Sequence, residues 1–205
     1  MKKLLVPILF LLIITIAVVT RFYLLGEAPH GLYLDEAGQG YSAYSLLKTG
    51  KDEFGKPYPF VFRSFLDFKT PVYIYMIVPL IDLFGLTKFT VRLPSAVFSI
   101  LTFPFLYLLI KNLSSKKHAT PLALVSSLLL AISPWHILFG RTNFEVNVSL
   151  FFLISGLYFF FKAIGFSEWK KKSKHKPWYL IATAVLFAIA IPAYHAQRVV
   201  TPAMI

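Results

Sequence analysis

Five apolar stretches, at residues 4–20, 91–110, 121–139, 146–161 and 178–193, dominate this chain and leave little room for any other architecture. A crossing helix needs roughly 20 apolar residues, and the shorter stretches reach that length by borrowing their aromatic flanks. With 57% hydrophobic and 17% aromatic residues over 205 positions, the chain is not a soluble globule around one ordinary core. The reading is an all-α polytopic membrane protein of about five transmembrane helices, forming one domain over residues 1–205. The first stretch follows Met1-Lys2-Lys3 and has no small-residue cleavage site after it, so it reads as an uncleaved span rather than a signal peptide. The chain stops at Thr201-Pro202-Ala203-Met204-Ile205 without a closing span or basic tail, which is expected of the front part of a longer protein.

Charge orients these spans. A net charge of +12 would suggest nucleic acid in a soluble protein, but no RNA- or DNA-binding motif is present and the basic residues sort by topology instead. A sixth apolar stretch, 71–85, is short and contains Pro79 and Asp82. If it does not cross, Lys2, Lys3, Lys111, Lys116, Lys117, Lys162 and the lysines of 170–176 share one side, with a net charge of +10 against +2 opposite. That is the positive-inside pattern, and it makes the lysine side cytoplasmic. Residues 71–85 are then a helix lying at the outer interface, with Tyr73 and Tyr75 at headgroup level. The lysine loop meets anionic headgroups. The sequence contains no cysteine, which excludes disulfides, thiolate metal sites and cysteine nucleophiles. Asn112-Leu113-Ser114 and Asn147-Val148-Ser149 fit the glycosylation pattern but fall inside and within a span, respectively.

This topology gives a long outer segment, 21–90, that carries most of the acids. Asp35 and Glu36 stand at the start of a helix expected over 35–49, where the partial positive charge of the N-terminus favours an anion. Carboxylates at the edge of a bilayer are costly and usually functional, although an N-terminal cap is the plainer alternative. Successive residues on a helix diverge by about 100°, so only one of the two is expected to face a substrate. The outer loop 133–145 brings His136, Arg141 and Glu145 to the same membrane face, and the last loop brings His195 and Arg198.

The order Pro29-His30-Gly31-Leu32-Tyr33-Leu34-Asp35-Glu36, Lys48-Thr49-Gly50, Lys69-Thr70-Pro71-Val72-Tyr73, Phe84-Gly85 and Val91-Arg92-Leu93-Pro94-Ser95-Ala96 resembles the GT-C membrane glycosyltransferases. Within them it is most similar to the protein O-mannosyltransferase and aminoarabinose-transferase-like branch. Ser133-Pro134-Trp135-His136, with Arg141 and Glu145, and Tyr194-His195 with Arg198 before Pro202 fit the same branch. The resemblance covers essentially the whole chain. It implies transfer, with inversion, of a sugar from a polyprenyl-phosphate donor to a protein, lipid or glycan acceptor on the non-cytoplasmic face of the cell membrane. It also implies a general base at Asp35, with Glu36 beside it, and a phosphate-contacting lysine at Lys69. Arg92 and Arg141 are further cationic candidates for the leaving phosphate, as such chemistry needs positive charge there. All three cations have the alternative of reaching to lipid headgroups. Glu145 takes the place of a second acid, for acceptor or metal; His136, His195 and Arg198 complete the candidates. A divalent metal cation is an implied cofactor of unread identity. The alternative class is a transporter or lipid-translocating protein with Asp35, Arg141 and Glu145 lining a pathway. Transport predicts charged groups or helix breaks near the bilayer centre, whereas these acids cluster at one surface.

Overall fold

The computed structural model describes residues 2–64, 67–115, 117–166 and 177–204. The lysine run expected at the cytoplasmic surface, 170–176, lies outside them, as does Lys116. Among the described residues the order is α1 (Lys2–Phe22), α2 (Leu34–Thr49), β1 (Phe62–Ser64), β2 (Asp67–Lys69), α3 (Pro71–Phe84), α4 (Lys88–Leu113), α5 (Ala119–Ile132), α6 (Pro134–Gly140), α7 (Glu145–Ala163), α8 (Pro177–Ala193) and α9 (Gln197–Ala203). The protein is an all-α polytopic membrane protein. α1 from Leu4, α4 and α7 are each long and apolar enough to cross a bilayer, and α5 with α6 form a bent pair that would be a fourth crossing. Within the described residues α3 and α8 are shorter apolar helices, of 14 and 17 residues.

The bend falls inside the stretch 121–139, which reads from sequence as one span. Pro134 disfavours helical backbone at the residue before it, and Ser133 is extended, with ψ 116°. The chain therefore turns by 62° between α5 and α6. Ending a helix in an apolar setting leaves carbonyls that must find donors. Arg21, fully buried at the end of α1, supplies them: its guanidinium donates to Leu130 O and Ala131 O, both at 3.1 Å.

Packing follows small residues, as expected where lipid gives no hydrophobic drive between helices. α7 lies so close to α8 that a Cβ on Gly156 would sit 2.4 Å from the Phe187 ring. α4 presents Arg92, Ser95, Ala96, Ser99, Thr102 and Phe103 to its neighbours, all buried. α1, by contrast, leaves Leu4, Leu5, Ile8, Leu11 and Leu12 exposed, a face suited to lipid. The main core sits where the segment between α1 and α4 meets the bundle: Leu46 of α2, Phe62 of β1, Tyr73, Ile74 and Ile77 of α3, Val91 of α4, and Val148 and Phe152 of α7. Tyr73 is fully buried, its hydroxyl donating to Val91 O and accepting from Ser95 N. α2 stops at Gly50, whose left-handed φ of 68° lets its amide bond Leu46 O at 2.9 Å. The ribbon β1–β2 is antiparallel, pairing Phe62 with Lys69 and Ser64 with Asp67, and lies outside the helical pattern read from the sequence.

Candidate active site

Asp35 and Glu36 occupy successive positions in the first turn of α2 and diverge as helix geometry requires. Asp35 turns outward. Its Oδ1 meets Lys69 Nζ at 3.0 Å, with 40% of the Asp35 side chain exposed and 12% of the lysine. The same ammonium meets Asp67 Oδ2 at 3.0 Å, since Asp67 and Lys69 are two apart on β2 and point to one face. Burial alone would lower the Lys69 pKa, but bonds to Asp67 and Asp35 outweigh it and the net direction is up. Asp67 moves down, first through its bond to Lys69 and then through the Phe68 amide. Lys69 is therefore a cation at neutral pH, and among the described residues its ammonium is shared by two carboxylates.

Glu36 turns inward and is 1% exposed. Its carboxylate accepts from Arg92 Nε (2.9 Å) and Asn143 N (2.9 Å) on one oxygen, and from Arg92 NH2 (3.1 Å) and Tyr33 N (3.0 Å) on the other. All of its acceptor positions are filled. Arg92 is fully buried and likewise saturated, its remaining N–H groups donating to Leu25 O, Pro29 O and Gly31 O. Arg141 is engaged on the same segment, donating to Thr20 O, Tyr23 O, Leu24 O and Ala28 O. Two guanidiniums thus hold residues 20–31 by their carbonyls, and Glu36 ties that clamp to α2.

A second rung joins α2 to the head of α7, where Gln39 Nε2 donates to Glu145 Oε1 at 2.7 Å. Gln39 stands three residues after Glu36 and so lies on the same helix face. Glu145 opens α7, is 8% exposed, and lies close enough to Lys69, Asp35 and His195 to feel their charges. His195 donates from Nε2 to Phe68 O at 2.8 Å and thereby holds β2 from the far side. Thr70 Oγ1 adds a bond to Ala193 O at 3.0 Å. The structure therefore brings Asp35, Lys69, Glu145 and His195 together, and it adds Asp67 and Gln39, which sequence reasoning missed. The Asp-x-Lys spacing of β2 was the available signal for Asp67.

His136 and Arg198 are placed apart from these. His136 is buried with Arg21 NH2 2.8 Å from its Nδ1 and the Phe103 ring edge-on at 5.8 Å. An arginine cannot accept, so Nδ1 is the acceptor and Nε2 carries the hydrogen. Arg198 is exposed in the first turn of α9. Among the described residues no three of His, Asp or Glu are grouped to hold a metal ion. The donor set for the implied cation is thus not assembled by these side chains.

Two residues after Lys69, at Pro71, begins the wall of an apolar groove of about 400 Å³ between α3 and α8, with Pro71, Val72, Tyr75 and Met76 on one wall and Ile189 and Pro192 on the other. Residues 68–205 match the family model described as dolichyl-phosphate-mannose-protein mannosyltransferase. The chain belongs to this family. No curated protein and no solved structure gives a match. Family membership makes the protein a membrane glycosyltransferase of mannosyltransferase-like type. The matched region holds Lys69, Arg92, His136, Arg141, Glu145, His195 and Arg198, while Asp35 and Glu36 precede it; their bonds to Lys69 and Arg92 make one site of the two parts.

Proposed function

We propose that this protein transfers a sugar from a polyprenyl-phosphate donor to an acceptor hydroxyl or amine on the outer face of the cell membrane, with inversion and with Asp35 as the general base. The observation that carries this reading is the Asp35–Lys69 pair, a half-exposed carboxylate 3.0 Å from a cation that stands two residues before the groove-lining Pro71. The groove suits an isoprenoid chain, and the Lys69 ammonium suits the phosphate at the chain's end. The acceptor oxygen attacks the anomeric carbon as its proton passes to Asp35. The bond from that carbon to the phosphate oxygen breaks, its electron pair stays on the phosphate, and Lys69 stabilises the charge that develops there.

Glu145, held by Gln39, orients the acceptor. Arg92, Arg141 and Glu36, whose polar atoms are occupied by protein partners, hold the loop and helix that present Asp35. The acceptor is a protein, lipid or glycan, and the family's description favours protein.

Truncating Lys69 to Ala should raise the donor KM by roughly ten- to a hundredfold, the range for a hydrogen bond to a charged group. Transfer from radiolabelled polyprenyl-phosphate sugar in membranes reads this; an unchanged KM would remove Lys69 from the donor site.

The same reading places the crossings at 4–20, 91–110, 121–139, 146–161 and 178–193, with the N-terminus cytoplasmic and α3 along the outer interface. The protein lacks cysteine, so single introduced cysteines report sidedness directly. Cysteines at 35 and 145 should label from outside, and one at 172 only after permeabilisation. External labelling at 172 would invert the topology.

A further inference from the structure

Asp67 has no part in the chemistry above, yet it takes half of the Lys69 ion pairing. Its side chain is 66% exposed, against 40% for Asp35, and both carboxylates stand 3.0 Å from the one ammonium. Two negative charges on one positive leave the cluster with an excess negative charge, which opposes an arriving phosphate. Among the described residues the other Asp67 oxygen accepts only from the neighbouring Phe68 amide, at 2.7 Å, so the side chain can turn to solvent without stranding a buried partner there. Asp35 is the less exposed of the two and is needed in place as the base.

We propose that Asp67 competes with the phosphate for Lys69, holding the ammonium that the donor's phosphate needs and retaking it as the spent carrier leaves. The inference rests on Lys69 being the phosphate contact. It also assigns a direction to the cycle. The donor is a phosphodiester with one negative charge, whereas the product polyprenyl phosphate is a monoester carrying about −1.5 to −2 at neutral pH. The product would hold Lys69 more tightly than the donor does, and a competing carboxylate shortens that occupancy.

The test is equilibrium binding of a short-chain polyprenyl phosphate to the purified full-length protein in lipid nanodiscs, for wild type, Asp67→Asn, Asp67→Glu and Lys69→Ala. Asp67→Asn should tighten binding roughly two- to fivefold, the scale of an exposed ion pair. Asp67→Glu keeps the charge and should stay near wild type, and Lys69→Ala should lose most of the affinity. A damaged fold does not produce tighter binding, so the expected gain is specific. Weaker or unchanged binding by Asp67→Asn, with Lys69→Ala still deficient, would overturn the competitor role alone. Unchanged binding by Lys69→Ala would overturn the phosphate contact and the competitor role together.

Discussion

Asp35→Asn should reduce sugar transfer by about 10²- to 10⁴-fold, the usual contribution of a positioned base, while membrane insertion and donor binding persist. The substitution keeps the size of the side chain and removes its charge. Asp35 is exposed enough to reach an acceptor and is fixed by Lys69 at 3.0 Å, so the loss should appear in kcat rather than in the donor KM. Glu36→Gln behaves differently. Glu36 is enclosed by Arg92, Asn143 and Tyr33, and a Gln there can accept but cannot balance the guanidinium. Its damage should fall on stability and expression. Near-normal turnover by Asp35→Asn would take the base away from this helix, since the Glu36 oxygens already have protein donors.

Arg92→Met should be among the most destabilising single changes in the chain. It leaves the Glu36 carboxylate buried without a counter-charge and strips the donors from Leu25 O, Pro29 O and Gly31 O. Breaking a buried pair from one side costs about 3–5 kcal/mol. Thermal denaturation of the detergent-solubilised protein, followed by loss of the monodisperse size-exclusion peak, measures the effect. The double variant Arg92→Met with Glu36→Gln should be less damaged than the sum of the singles, because the uncompensated charge is gone. Strict additivity would mean that the 2.9 Å pair contributes no coupling, contrary to its enclosure.

Several helices are legible because each rule acts locally. Apolar length marks α1, α4 and α7, the acids after Pro29-His30-Gly31 mark the start of α2, and Pro71 with Gly85 brackets α3, which runs Pro71–Phe84. The break at Ser133 was written in Ser133-Pro134, but hydropathy alone ran through it as one stretch. Ribbon β1–β2 was not legible, since three-residue strands carry too little alternation to stand out.

The arginines show the deeper limit. The charge pattern read from the sequence marks Arg92 and Arg141, but not Arg21, as cations of interest, and it does not say which carbonyls the fold leaves without donors. Those carbonyls are created by the end of α5 and by the loop at 20–31, and they engage all three guanidiniums. Lys69 differs because its partners are carboxylates with exposed faces and not backbone oxygens.

The Asp35–Lys69 pair is proposed to move a sugar off a lipid phosphate. Incubating membranes that contain the full-length protein with a polyprenyl phosphate labelled in its sugar, and then determining the label's carrier and anomeric configuration, tests it most directly. The expected result is label on an acceptor with the configuration inverted and one polyprenyl phosphate released per transfer. Label remaining on the lipid, or transferred with retention, would contradict it.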